Sequence, residues 1–337
     1  MDGTKLNLPR SLIRHGYKLP SKKACYPQGL LSCLYQVKSQ IPVDFDLVSH
    51  HNERICAEQH LKVLEKDDVV IYDRGYFSYL MLLHHVESNI HAVFRLQESC
   101  CTVVEDFFKS TQTDIITTIY PSATVRRDIG KAHPEQIIAP LQLRLIKYQI
   151  GDNTYCLGTT LKDRTKYKTQ DFIELYHSRW GVEELYKISK RLFLIEDFHA
   201  KTERGVKQEI FAHFALITMN RIFANQADID LNLSNVSKDA LEKTVNSAPP
   251  SSSSQLMCKI KTNFKNCVHV FSRSMEELLL LNTKLKSVIE RAFLFIIGRH
   301  QKERSGRSFP RKSMRPVTKR SPSKEKNQSK LLLDPAQ

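Results

Sequence analysis

The sequence predicts an α/β protein whose alternating strands and helices are interrupted by a β-rich insertion. Three observations predict it. A strand, a helix and a second strand follow one another between Val69 and Leu96, in about 30 residues, which is the span of a parallel βαβ unit. The stretch 97–170 then becomes strand-rich. Helical periodicity returns at 171–190 and again at 203–223.

Each element has a local reason. In NERICAEQHLKVLE (52–65), Ile55, His60–Leu61 and Leu64 recur at helical spacing and Asn52 stands where a cap belongs. Val69 to Tyr72 is a short apolar, β-branched run, which predicts a buried strand. Phe77 to Glu87 predicts a helix, and Ile90 to Leu96 a second strand. Asp73 falls at the carboxyl end of the first strand, where open α/β sheets place their ligands. Within the insertion, DIITTIYPS (114–122) is strand-rich. PLQLRLIKYQIGDNTYCLGTTL (140–161) alternates Leu141, Leu143 and Leu145 with polar neighbours and turns at Gly151-Asp152-Asn153, a hairpin signal. In 203–223 the residues Val206, Ile210, Phe211, Phe214 and Ile217 form an apolar stripe. SAPPSSSS (247–254) is a linker by composition, and helices follow to Gly298. The expected organisation is a discontinuous α/β domain from 1–96 and 171–228, the insertion at 97–170, a linker region at 229–254, C-terminal helices at 255–300 and a basic disordered tail at 301–337.

The 337 residues, 41% of them hydrophobic, are enough to bury a sizeable core. The net charge of +15 favours a polyanionic partner, nucleic acid ahead of an acidic membrane surface. Residues 299–337 hold 12 Lys/Arg and 3 Asp/Glu, so +9 of that charge sits in the tail and the rest of the chain carries only +6. The eight cysteines are scattered, without a CxxC pair or zinc-finger spacing with histidine, which argues against a disulfide framework and for reduced thiols in a cytosolic protein. The first residues, MDGTKLNLPR, hold no apolar signal region, and no run reaches the ~18 apolar residues of a membrane span.

The stretch YHSRWGVEELYKISK (176–190) carries the chemistry. On a helical wheel with Tyr176 at zero and ~100° per residue, Arg179, Glu183 and Lys190 fall near −60°, −20° and −40°. Val182, Leu185, Ile188 and Leu192 fall on the opposite side. That leaves a polar front over an apolar back. Arg179–Glu183 and Glu183–Lys187 are i,i+4 pairs of the kind that decorate solvated helix faces, so this helix alone leaves a surface reading and a catalytic one open. Asp73 and Asp2 bear on the choice. Three converging carboxylates repel one another unless a cation neutralises them. Hard oxygen ligands suit Mg²⁺ or Mn²⁺, and two such ions promote phosphodiester transfer.

Tyr176-x2-Arg179-x3-Glu183-x6-Lys190 resembles the Tyr-Arg-Glu-Lys signature of bacterial DDE transposases of the insertion sequence 4 family. DGTKLNLP, YPQGLLSCLY, VVIYDRGYFS, LYHSRWGVEELYK and FHAKTERGVKQE look like that group in its usual order, across roughly residues 1–225. The resemblance implies an RNase H-like mixed sheet with flanking helices, interrupted by the β-rich insertion. It implies Asp2, Asp73 and Glu183 as ligands of two Mg²⁺ or Mn²⁺ ions, and Tyr176, Arg179 and Lys190 on DNA phosphates. It also implies double-stranded DNA (transposon ends and target) as substrate, water attack followed by attack of the freed 3′-hydroxyl, a homodimer on paired ends, no membrane, and a bacterial, nucleoid-associated setting in the cytoplasm.

Only Met1 precedes Asp2, whereas this fold carries its first aspartate on a central strand. The expectation is an N-terminally truncated domain with Asp2 on a frayed end, which keeps two other readings open: a non-catalytic DNA-binding remnant or inhibitor, and an unrelated metal-dependent nuclease. Among other residues, Trp180 is expected to pack, Arg74 to pair with a carboxylate, one of His84 and His85 to be a core histidine, and Cys100-Cys101 to be inert.

Overall fold

The computed structural model describes residues 1–132, 138–245, 260–280 and 284–302. The chain divides into two compact units, one of Met1–Pro20 with Tyr26–Ile210, the other of Ser21–Cys25 with the chain from Phe211 onward.

In the first unit β1 (Asp2–Asn7), β2 (Gln28–Gln36) and β3 (Ile41–Val48) form an antiparallel sheet in that order. The helix α1 (Glu53–His60) follows, and the Asn52 side chain accepts from the Arg54 N–H at its start. Next come β4 (Val69–Tyr72), α2 (Tyr79–Glu87), β5 (His91–Leu96), α3 (Thr102–Lys109), β6 (Asp114–Ile119), α4 (Ala123–Ala132), β7 (Leu141–Ile150) and β8 (Asn153–Thr159). The helices α5 (Thr169–Ser178), α6 (Trp180–Arg191) and α7 (Glu203–Val245) complete the run. A second sheet has the order β4-β5-β8-β7-β6, with β4 and β5 parallel and the other pairs antiparallel. The molecule is therefore mixed α/β, with a mixed sheet and flanking helices.

Alternation along β4 and β5 explains their position. Val70, Tyr72, Ala92, Phe94 and Leu96 enter one buried cluster with α2 and α3. Ile71 and Val93 point the other way, into a cluster with Phe172 and Tyr176 of α5. Strands covered on both faces need the near-continuous apolar runs seen here.

Several expectations are corrected. Asp2 does not hang on a loose end: β1 begins at Asp2, which stands opposite Cys33, and the Met1 amine donates to Ile71 O at 2.8 Å, fastening β1 to β4. The 97–170 stretch, expected to be β-rich, also holds two helices, α3 and α4, and its hairpin adds β8 directly to β5, extending the sheet. The helix foreseen over 171–190 is two helices meeting at Arg179. The linker expected from 229 is helical as far as Val245, because Ala224, Ala227 and Leu231 give α7 a buried face well beyond 223. The SAPPSSSS stretch from 247 to 254 and the tail from 303 lie outside the described residues.

The second unit holds the rest of α7 with β9 (Ile260–Thr262), α8 (Phe264–Leu279), α9 (Leu285–Gly298) and β10 (His300–Lys302), which pairs with β9. Its core gathers Ala224, Ala227, Cys267 and Ile296.

Two buried histidines tie elements together. The Asp44 carboxylate of β3 meets His60 Nδ1 at 2.6 Å, and His60 Nε2 lies 3.1 Å from Ser32 Oγ of β2. The order serine, histidine, carboxylate is that of a hydrolytic triad. Ser32 is fully buried, however, so no substrate reaches it, and the chain of bonds fixes α1 to β2 and β3.

His85 is the core histidine of α2. Its Nδ1–H donates to Ile90 O at 3.0 Å, leaving Nε2 to accept from the Tyr72 hydroxyl at 2.9 Å. Burial lowers its pKa to about 4. The unfolded chain takes up this proton near 6.5 and the folded one resists it, so the His85 contribution is complete above that value and is lost as pH falls toward 4. Urea unfolding is expected to show about 2 kcal/mol of this loss by pH 5. His85→Gln, which offers a donor and an acceptor without titrating, is expected to flatten that part of the profile. An unchanged slope would assign the loss to other groups.

Candidate active site

Three segments converge on one guanidinium. Arg179, at the junction of α5 and α6, is only 3% exposed. Its Nη1 lies 3.3 Å from Asp2 Oδ2 at the start of β1. Its Nη2 lies 2.8 Å from Glu183 Oε1 on α6 and 4.0 Å from Asp73 Oδ2 just past β4. Asp73 and Glu183 share that one nitrogen, so their oxygens lie within about 7 Å of each other, inside the reach of a site for two ions ~4 Å apart.

Local structure delivers each group. Asp73 follows the last buried residue of β4, and the turn after it closes by Tyr76 N–H to Asp73 O at 3.3 Å. Arg54 Nε on α1 donates to Gly75 O at 2.8 Å and holds that turn from outside. The Tyr176 hydroxyl donates to Asp73 Oδ1 at 3.2 Å. Tyr186 of α6 donates to the Asp2 carbonyl at 2.7 Å, and Lys190 Nζ donates to Thr4 Oγ1 at 3.0 Å and Lys5 O at 2.7 Å, so α6 is stitched along β1. The apolar back of α6 is anchored by Val182 and Leu185, both buried.

The electrostatics follow from burial. Asp2 is pushed up to about 6, chiefly by desolvation, against the pull of the Gly3 N–H and Arg179. For Arg179, burial opposes the charge, but the hydrogen bond to Glu183 and the fields of Asp73 and Asp2 outweigh it, and its pKa is raised. Burial raises Tyr176 to about 12, with Asp73 adding to the effect, so its hydroxyl stays a donor. Desolvation lowers Lys190, opposed by Glu196. Asp73 and Glu183 are the open side of the cluster, with side chains 40% and 33% exposed, against 19% for Asp2.

A model of the transposase DDE domain matches residues 1–219. The chain belongs to the transposase DDE domain family. Among solved structures, the cryo-EM structure of the piggyBac transposase synaptic complex with hairpin DNA is similar at a TM-score of 0.44 and 11% identity, over 91% of this chain and 58% of that one. The chain thus spans little more than half the length of that relative. Comparison with curated proteins gives no match.

Within this DDE domain Asp2, Asp73, Glu183, Tyr176 and Arg179 are brought together, while Lys190 lies further along β1 beside Thr4 and Lys5. Two residues differ from the expected phosphate-facing arrangement. Tyr176 is buried and spends its hydroxyl on Asp73, and Arg179 is turned into the carboxylates. Trp180 is 42% exposed. Arg74 does not pair with Asp73: it lines a cavity of about 190 Å³ with Arg95, Gln97, Glu98, Phe108 and Tyr155. Among the described residues no three His, Cys, Asp or Glu side chains are grouped as metal ligands, and the charge between the carboxylates is supplied by Arg179. The donor set still fits a hard divalent ion in kind, being three carboxylates from three elements with two of them open to solvent. Sequence reasoning missed Tyr186 and Glu53. The Glu53 carboxylate would lie 2.9 Å from a Cβ placed on Gly3, and its field reaches Asp2. Tyr186 stands inside LYHSRWGVEELYK but outside its four-residue signature, Glu53 stands in no motif, and each acts through a partner far away in the chain.

Proposed function

We propose that this chain is a DDE transposase of the insertion sequence 4 type, cutting and joining phosphodiester bonds at transposon ends in double-stranded DNA. The observation that carries the reading is the convergence of Asp2, Asp73 and Glu183 on Arg179, inside a stretch matched by the transposase DDE domain. Asp2, Asp73 and Glu183 would hold Mg²⁺ or Mn²⁺, as a pair of ions. Such ions supply a water or 3′-hydroxyl activated at neutral pH and stabilise the departing oxygen.

The chain's own residues do the positioning. The Tyr176 hydroxyl fixes one oxygen of Asp73 and leaves the other for the substrate side. Tyr186 and the strand pairing hold Asp2 on β1. Lys190, at the far end of α6, presents a cation along β1 where a DNA phosphate backbone would pass, and its contacts to Thr4 and Lys5 preset its direction. The reading implies two copies on paired ends, in a bacterial nucleoid. No helix among the described residues is long and apolar enough to cross a membrane.

The test is to incubate the protein with DNA carrying the element's own terminal repeats, in Mg²⁺, Ca²⁺ or EDTA. The expected result is strand cleavage at the repeat ends in Mg²⁺ only, followed by joining to target DNA. Cleavage without joining, or cleavage indifferent to the repeats, favours a general metal-dependent nuclease. Binding with no cleavage in any metal removes the catalytic reading.

A further inference from the structure

The geometry points to Arg179 as a resident counter-ion that competes with divalent cations for Asp2, Asp73 and Glu183 and is expelled from them when metal enters. The inference rests on the metal-ligand roles proposed above and adds a role for the arginine between them.

Four observations carry it. First, the guanidinium touches the same three carboxylates that the ions would use, within 2.8–4.0 Å. Two cationic species cannot both sit among those oxygens without strong mutual repulsion. Second, the bridge is not a finished structural one. Arg179 Nε is buried and has no hydrogen-bond partner, and a single nitrogen, Nη2, serves both Asp73 and Glu183. A buried donor left unmade is a standing cost, so this position is held by the anions and not by a full set of bonds. Contrast Arg144, equally buried, whose Nε, Nη1 and Nη2 all donate. Third, the exchange is a rotation of one side chain at the junction of α5 and α6 and needs no backbone change. Fourth, Asp73 and Glu183, the more exposed pair, mark the side from which an ion enters and toward which the guanidinium leaves. Trp180, the next residue, is already on the surface.

The consequence is an exchange of charge. Without an ion, Arg179 keeps three carboxylates from repelling one another apart. With ions bound, the freed guanidinium becomes a phosphate ligand at the edge of the same site, so metal loading and DNA capture are coupled through one side chain.

The experiment uses the full chain and Mn²⁺. Arginines are labelled with phenylglyoxal, with and without saturating Mn²⁺, and read by peptide mass spectrometry. Arg179 labelling is expected to rise about tenfold or more with Mn²⁺ as its bridges are lost. Arg144, buried on Asp114 elsewhere, is expected to stay protected in both conditions. Arg179 labelling that is unchanged or lower with Mn²⁺ overturns the inference. In calorimetry, Arg179→Gln is expected to bind Mn²⁺ about tenfold tighter than wild type, since a competing cation has gone. Equal or weaker binding, with the fold intact by circular dichroism, also overturns it. Glu183→Gln separates the two levels. Mn²⁺ binding that does not depend on Glu183 removes the metal-ligand reading and this inference with it. Glu183-dependent binding with no response at Arg179 removes only the inference.

Discussion

Arg144→Ala is expected to be the most destabilising single change in the first unit, costing about 3–5 kcal/mol, the range for removing one partner of a buried ion pair. Arg144 is 1% exposed on β7. Its Nε and Nη2 donate to Asp114 Oδ1 and Oδ2 at 3.0 and 2.6 Å on the neighbouring β6, and its Nη1 donates to Tyr167 O at 2.9 Å. The guanidinium also stacks over Phe172 of α5, 5.2 Å from the ring centroid. One side chain thus binds the outer strands of the sheet to the helix that carries Tyr176. Truncation leaves Asp114 with only the half-exposed Arg164 guanidinium, 3.4 Å away, takes the Nη1 donor from the Tyr167 carbonyl and opens a void beside Phe172. Such a loss is a large fraction of the 5–15 kcal/mol that typically separates folded from unfolded. Urea unfolding checks the number. A loss below about 1 kcal/mol, the range of a surface pair, would show that the pair is effectively solvated.

Glu183→Gln is expected to lower Mg²⁺-dependent cleavage of end DNA by at least about 10²-fold, or ~2.7 kcal/mol of transition-state stabilisation, while leaving DNA binding and the fold in place. The amide oxygen still accepts from Arg179 Nη2, now 2.8 Å from Glu183 Oε1, so Arg179 keeps its hold on Asp2 and Asp73. What is lost is one negative charge on the open side of the cluster, and with it an anionic oxygen for a divalent ion. Single-turnover cleavage in Mg²⁺ and gel-shift binding in Ca²⁺ measure the two quantities separately. Cleavage at the parental rate would remove Glu183 from the site.

The elements that could be read in the chain are those with local causes. β4 spans the residues its β-branched run predicts, and the β7–β8 hairpin turns at Gly151, whose φ of 58° suits glycine. Elements whose causes are distant were not legible. β2 is buried on both faces, so GLLSCLY has no alternation to read. The pairing of β8 with β5 joins residues some 60 positions apart, which periodicity does not encode. α7 reads as ending near 223 because its later buried residues are small or widely spaced. The candidate site divides in the same way. Asp73 announces itself by its place at a strand end, and Glu183 by its spacing from Tyr176 and Lys190. The inward turn of Arg179 does not, because a helical wheel places it with the polar front. Only the arrival of Asp2 and Asp73 from other segments makes burial of that charge tolerable.

The strand order β4-β5-β8-β7-β6 also sets a timetable for the growing chain. β5 can pair with β4 as soon as His91–Leu96 is made, but its other edge waits for Cys156–Thr159. At ~5–20 residues per second, synthesis leaves that edge open for several seconds. Its exposed backbone is a template for pairing with another chain during that time. The β7–β8 hairpin closes locally across a two-residue turn, so it forms quickly once made, and docking it onto β5 is the step that must beat aggregation. Changes at that seam, such as a bulky residue at Gly158, where a Cβ would meet Leu96 and Leu143 at 2.8 and 2.9 Å, should lower the yield of soluble protein even where the finished molecule tolerates them.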